Sequence, residues 1–503
     1  MIWIAGIVYG LIFGALSVLR VYAGGVGVSD MAIYHTALLG ATRGHFYFTY
    51  LVPEGCLLYQ HFDPITILYL PFYLILGNSA WIILVSSQSF MAGLAFPALA
   101  AIGKLEGVKK RNLLLLLILL FFNPLLHNVL MYDFHPVSLS FPLILWGWYF
   151  NKRKMVIPGA ICWGLAILCK ENVPLTIAAL GLSLILEKNH RFGVTWLVAG
   201  IVSFLVIVNI IIPSLRTIGE GNIYMSRYSW LGNSFPEIIR TLLLKPHLVA
   251  KALFSGSDRW NFLAKLLLPF GLFPLLAPRR FPALVPELGV LLLSSFTAMY
   301  SVKFHYPVVL LSVLFICSTK GLVKLDYTKE AGDSSSNEKE RFKLLRNPKT
   351  KKFVFYFSVA LALIATTRGI VRDDRALTLS SKDIKRKYAI ETRRKTINKM
   401  ANLIPSESSI SLPLNLMNPT FPFCEKFERL SFLPDRWRVA DYIILDMRTE
   451  FFGGHRDPGL EKLLEALLDN NNYELLLREN EFYLFKNLEP KSPDKFMIRD
   501  VVR

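Results

Sequence analysis

Residues 104–154 read KLEGVKKRNLLLLLILLFFNPLLHNVLMYDFHPVSLSFPLILWGWYFNKRK. Two apolar stretches, 112–130 and 136–150, are separated by YDFHP and enclosed by basic clusters. Lys104, Lys109, Lys110 and Arg111 precede them, and Lys152, Arg153 and Lys154 follow. A bilayer core accepts an apolar helix of about 20 residues and penalises charge at its centre. Lys and Arg gather in cytoplasmic loops. The stretch therefore reads as two membrane crossings that leave the cytoplasm and return, with Asp133 and His135 at the outer turn.

The same alternation extends in both directions. Apolar segments fall at 2–22, 80–102, 112–130, 136–150, 155–170, 173–187, 193–213, 262–277, 282–300, 305–319 and 353–371. With the N-terminus inside, every short basic cluster lands on the cytoplasmic side: Lys188 with Arg191, and Arg279 with Arg280, join the two above. PITILYLPFYLIL (64–76) is short, carries Pro64 and Pro71, and reads as a surface-lying or re-entrant helix. Counting it as a crossing would move all those clusters outside. The fold class is mainly α: a polytopic membrane protein of about eleven transmembrane helices, with a small extracytoplasmic α/β domain at the C-terminal end.

Composition agrees. Of 503 residues 53% are hydrophobic and 18% charged, which excludes a disordered chain and an ordinary soluble enzyme. The net charge of +19 belongs to the basic flanks of the spans; no nucleic-acid-binding motif accompanies it, and nucleic acid is not expected as a partner. Ile2–Leu19 is uncharged and lacks the basic region of a secretory signal, so it reads as a retained first span. Of five cysteines, Cys56 and Cys424 fall outside the spans, where pairing is open.

The division is a transmembrane domain over 1–372 and an extracytoplasmic α/β domain over 373–503. External loops occupy 23–79 and 214–261, and a polar cytoplasmic linker with EAGDSSSNEKE occupies 320–352. GEGNIYMSRYSW (219–230) is turn-rich and aromatic, as a mobile lid would be. In the last domain SSISLPL, ERLSFL and DYIILDM read as strands, PGLEKLLEALLDNN as a helix, and YELLLREN with EFYLFKN as a hairpin.

Polar residues gather at the external ends. SDMAIYHTALLGA has helical spacing, with Met31, Ile33, Tyr34, Ala37, Leu38 and Ala41 forming an apolar face suited to a membrane surface. Asp30 stands at its start, where an N-terminal carboxylate is favoured for capping alone. QHFDPI supplies His61 and Asp63, YDFHP supplies Asp133 and His135, CKEN supplies Lys170 and Glu171, and YSVKFHY supplies Tyr300, Lys303 and His305. Each alone reads as an interfacial residue; internal ends are merely basic. Converging Asp, His and Glu suit a divalent cation (Mn²⁺, Mg²⁺ or Zn²⁺), with Asp133 and Glu171 as candidate ligands. Lysine beside them suits a phosphate.

SDMAIYHTALLGATRG, QHFDPITILYLPFYLI, YDFHPVSLSFPLIL and LAILCKENVPLTIAALGLSLIL, with KFHYPVVLLSVLF and LIPSESSISLP…ADYIILD, carry a resemblance. The chain resembles a family of polytopic membrane proteins known as a domain of unknown function. That family is related to the GT-C superfamily of glycosyltransferases, which includes protein mannosyltransferases and aminoarabinose transferases. The resemblance covers most of the chain and is strongest over 1–215. It implies a GT-C-like fold, a lipid-linked sugar donor, and an acidic catalytic residue in the first external loop, where Asp30 is the match. At ISLPLNLMNPT the chain departs from its relatives, which more often carry polar residues and a His.

The expectation is glycosyl transfer from a polyprenyl-phosphate donor on the outer face of the membrane. Asp30 would be the base, Lys170, with His135 or a cation held by Asp133 and Glu171, would stabilise the departing phosphate, and His61, Lys303 and His305 would line the pocket. Two alternatives stay open: a carrier or flippase for a lipid-linked substrate, and a non-catalytic membrane scaffold.

Overall fold

The computed structural model describes the chain except residues 23–28, 53–54, 216–222, 327–346, 373–392, 433–436, 449–457 and 490–503. Most of the predicted linker, the first part of the C-terminal domain and the start of the lid stretch thus lie outside the described residues.

Four helical stretches are long and apolar enough to cross a bilayer: Ile2–Tyr22, Pro64–Glu106, His190–Ser214 and Pro348–Val371. Lys110–Phe121 and Pro124–Leu130 make a fifth if the pair, bent by 43°, is one span. The eleven continuous spans expected from the sequence are therefore not reproduced among the described residues. Several are short helices, Ser140–Lys152, Val156–Ile167, Val173–Leu186 and Val308–Lys324. Others are broken: 262–300 is a series of short helical pieces, because Pro269, Pro274, Pro278, Pro282 and Pro286 each remove a backbone donor. Within Pro64–Glu106, the seven-residue helix Leu70–Leu76 rises only about 10 Å, and Gly77 (φ +54°) turns the chain after it. The Phe72, Leu74 and Ile75 side chains of that helix are exposed, as lipid-facing groups would be.

Small residues allow the helices close approach. Ile2–Tyr22 crosses Trp81–Gly93 at Gly6 and Gly93, where a Cβ on either residue would collide with the carbonyl oxygen of the other.

One buried ion network organises an entire end of the bundle. The Arg280 guanidinium is 1% exposed. It donates through Nε to Glu187 Oε1 at 2.7 Å and through Nη1 to Glu106 Oε2 at 3.2 Å, and it lies 5.0 Å from the Trp148 ring centroid. Lys152 Nζ donates to Glu187 Oε2 at 2.7 Å, and the Thr319 hydroxyl donates to Glu106 Oε2 at 2.8 Å. The junctions that charge assigns to the cytoplasm thus meet at one end. They are not merely basic, as the sequence suggested. Glu106 and Glu187 sit among the cations, and a rule that counts cations passes over them. From this network the helices Ser140–Lys152, Val173–Leu186 and Val308–Lys324 run to the opposite end. There the residues just before each helix are His135, Lys170 with Glu171, and His305.

The C-terminal unit is a five-stranded sheet of β1 (Ile410–Leu412), β2 (Leu430–Phe432), β3 (Tyr442–Asp446), β4 (Tyr473–Glu479) and β5 (Phe482–Asn487), in the order β2-β1-β3-β5-β4. β1 pairs in parallel with β2 and β3, and β5 is antiparallel to β3 and β4. The predicted strands, helix (Pro458–Leu468) and hairpin are all present. Alternate residues of β3 serve two cores. Ile443 and Leu445 pack with Leu460 and Leu467 of the helix, while Tyr442 and Ile444 face a core that includes Ala32 and Leu51 of the first loop. The helix Ser29–Ala41 is therefore not lying on a membrane surface as predicted. It is enclosed between the bundle and the sheet, and Arg43 reaches across to the Glu425 carbonyl at 2.9 Å. All five cysteines are free, so Cys56 and Cys424 are not paired.

Replacing Arg280 by Ala strands two buried carboxylates. Thermal or denaturant unfolding of the purified protein is expected to show a loss of about 3–5 kcal/mol.

Candidate functional site

Asp30 lies in the first turn of Ser29–Ala41. Its Oδ2 is 3.3 Å from His135 Nε2. His135 is fixed from its other side: Nδ1 is 3.0 Å from the Asp133 carbonyl oxygen, and its backbone N–H donates to Gln88 Oε1 at 3.0 Å. Both ring nitrogens thus face an oxygen acceptor, which holds the imidazole in one orientation. Burial alone would raise the Asp30 carboxyl. The hydrogen bond and charge of His135, with His61 and Lys170, hold it below the usual carboxylate range.

The His305 ring stacks on His135 at 3.5 Å between centroids and 19° between planes. Tyr306 follows at 4.2 Å from His305, and Lys170 Nζ lies 5.7 Å from the Tyr306 ring centroid. Two stacked imidazoles at this distance disfavour two positive charges.

A second pair closes the group. His61 Nδ1 is 2.9 Å from Glu171 Oε1, and the Phe62 backbone N–H donates to Glu171 Oε2 at 3.1 Å. Burial opposes ionisation of Glu171, but the charge and hydrogen bond of His61, then Lys170, bring its carboxyl down to about 2. Burial likewise lowers His61. Asp63 behaves oppositely: burial pushes it up to about 8, and it accepts the Tyr34 hydroxyl at 2.5 Å.

Asp30, His61, His135, Lys170, Glu171 and His305 thus come together from five separated stretches of chain. Two predicted residues stand differently. Asp133 is fully buried and contributes its carbonyl to His135. Lys303 is exposed, and no contact among the described residues brings its side chain into the group. Among the described residues no three His, Cys, Asp or Glu side chains form a metal-holding group.

Two residues went unrecognised in the sequence. Arg227, within the aromatic stretch 219–230, hydrogen-bonds Tyr306 and lies 4.7 Å from the Phe296 ring centroid. The only signal was a cation embedded in that stretch. Glu287 is buried and accepts from Asn172 Nδ2 at 2.6 Å, beside Glu171. It looked like an interfacial residue at the start of a span. A cavity of about 270 Å³ opens between Pro124–Leu130, Asp258–Leu267 and Pro348–Arg372, with Val302, Lys265 and Arg368 in its wall.

Residues 27–484 match the family model described as a predicted membrane protein, DUF2079. The chain belongs to that family. No curated protein matches it. Among solved structures it is similar to ArnT from Cupriavidus metallidurans bound to undecaprenyl phosphate, at 12% identity and a TM-score of 0.46, over 96% of this chain and 99% of that one. At that score the likeness is too loose to transfer anything from one chain to the other.

The Glu171 geometry fixes a pH dependence. A carboxyl held at about 2 and released to its ordinary 4.5 on unfolding stabilises the fold fully above pH 4.5 and loses that contribution as pH falls towards 2. Unfolding measured across this window should give a shallower slope for Glu171→Gln than for the natural chain.

Proposed function

We propose that this group transfers a glycosyl unit from a polyprenyl-phosphate donor to an acceptor hydroxyl at the outer water–lipid boundary. The observation that carries the reading is the convergence of a carboxylate, two imidazoles and an ammonium, namely Asp30, His135, His305 and Lys170, from four loops at one end of the bundle. The motif resemblance around those same residues supports it.

In this reading the Asp30 carboxylate takes the proton of the acceptor hydroxyl as its oxygen bonds to the anomeric carbon. The bond from that carbon to the phosphate oxygen breaks, and the electron pair leaves with polyprenyl phosphate. Lys170 stabilises the departing phosphate, with His135 beside it. The Glu171–His61 pair positions Lys170, its chain neighbour. Arg227, on Tyr306, adds a further cation on the phosphate side. The donor's isoprenoid tail would lie along the cavity between Pro124–Leu130, Asp258–Leu267 and Pro348–Arg372, whose wall is mainly apolar. The C-terminal sheet lies against the helix that bears Asp30, which suits it to the acceptor side. The N-terminus is then cytoplasmic and the C-terminal domain extracytoplasmic, as the charge pattern requires.

Asp30→Asn is expected to lower transfer by at least about 100-fold while membrane level and unfolding temperature stay those of the natural chain. The assay is release of polyprenyl phosphate with glycosylation of acceptor in reconstituted vesicles. Lipid extracts of a strain lacking the protein should in parallel accumulate the glycan donor or an unmodified acceptor. Full transfer by Asp30→Asn removes Asp30 from the chemistry, and transport of a lipid-linked sugar without transfer replaces the reading by a carrier.

A further inference from the structure

Two short helices in the predicted external loop, Phe235–Leu244 and Pro246–Phe254, carry apolar side chains on two different sides. On one side Ile238 is 9% exposed, and with Leu242, Val249 and Leu253 it packs against Trp230 and Leu293. On the other side Leu243 is 74%, Leu244 66% and Phe254 69% exposed. By the helical period Leu243 stands about 140° round the axis from Ile238, so the first core cannot also cover it. Apolar side chains left open together mark a surface that something else covers.

Two observations fix the level at which that surface lies. The Phe235 ring, at the start of the first helix, is 5.2 Å from Phe204. Phe204 stands about 15 Å, by helix rise, before the end of His190–Ser214, a stretch long and apolar enough to cross a bilayer. The pair therefore begins at the depth of the acyl chains. Against this, Arg240, Lys245 and Lys251 are exposed and make no ion pair among the described residues, and cations do not rest in hydrocarbon. Glu237, the one carboxylate in the two helices, already accepts the Asn233 backbone N–H at 2.9 Å. Trp260 is exposed beside Phe254, at 5.3 Å between ring centroids, as aromatic residues are at the edge of a bilayer. Apolar groups at acyl depth and cations that must reach water belong together only at the water–lipid boundary.

Charge selects the occupant. A second copy docked through the same face would bring its own three cations against these three, which is costly. A leaflet rich in anionic headgroups meets them with opposite charge. We propose that the pair Phe235–Leu244 and Pro246–Phe254 docks on an anionic phospholipid surface at the Asp30 end, with Leu243, Leu244 and Phe254 among the acyl chains and Arg240, Lys245 and Lys251 on the phosphates. The assignment does not depend on glycosyl transfer. The inner face of the pair packs with Tyr228 and Trp230, next to Arg227, which bonds Tyr306 beside His305. The lipid surface thereby braces the stretch that reaches the site.

The test places the full chain in nanodiscs of phosphatidylcholine, alone or mixed with phosphatidylglycerol, and reads amide hydrogen exchange over 235–254. Exchange there should be about tenfold slower in the mixed bilayer, with that of Val173–Leu186 the same in both. Arg240→Gln with Lys245→Gln and Lys251→Gln should remove the difference, while Arg240→Lys with Lys245→Arg and Lys251→Arg keeps it. Leu243→Ser with Phe254→Ser should speed exchange in both bilayers. Equal exchange of the natural chain in the two bilayers overturns the anionic surface, and so does loss of the difference in the charge-preserving variant. Slowing that appears in lipid-free detergent as the chain is concentrated gives the face to a second copy instead.

Discussion

The guanidinium of Arg280, held between Glu106 and Glu187 and stacked above Trp148, fixes the height of the bundle. Three helices start from its surroundings and run roughly 20–25 Å, by the rise of an α-helix, to the opposite end. His135, Lys170 and His305 stand at or beside those far ends. A helix is stiff along its axis, so anchoring one end sets where the other end presents its side chains. The placement of the side chains at one face thus rests on ion pairing at the other. A buried pair of this kind has little worth relative to a well-packed apolar alternative, but its geometry is specific, because a stranded charge is expensive.

The two ends solve desolvation differently. Around Arg280 each buried charge meets an opposite one, and the result is a closed set. Around Asp30 carboxylate and imidazole side chains meet instead. Asp30 lies 3.3 Å from His135, and the stacked rings disfavour positive charge on both His135 and His305. Lys170 lies beside the electron-rich face of Tyr306. A carboxylate beside an imidazole can exchange a proton without a large rearrangement, whereas a guanidinium–carboxylate network resists such change. That difference underlies the proposal that one end is structural and the other reactive.

Much of this was legible in the sequence. Charge alternation along 104–154 placed the junctions at two opposite ends, and the polar residues that cluster in the structure are mainly those that stood out at external ends. The C-terminal strands and hairpin could be read from alternation, since each strand of that sheet has a distinct inside and outside. Four things were hidden. Prolines between 262 and 300 break apolar stretches into short helices, and hydropathy does not register the break. Lone carboxylates such as Glu106, Glu187 and Glu287 gain meaning only from partners far away in sequence, over 170 residues for Glu106 and Arg280. Arg227 depends on a loop folding back over Tyr306, which spacing does not encode. The enclosure of Ser29–Ala41 was missed for a related reason: its apolar face was visible, but the second surface covering it comes from the far end of the chain.

That covering has an implication for how the protein is made. Ala32 and Leu51 share an apolar core with Ile410, Ile444 and Leu484, more than 350 positions later. The helix bearing Asp30 therefore leaves the ribosome long before the partner that completes its packing exists. During translation this loop must wait, half clothed, until the last strands have been synthesised and brought to the same face of the membrane. Assembly of that corner is thus a late event, and quality control acting on nascent chains would meet it as the final piece to close.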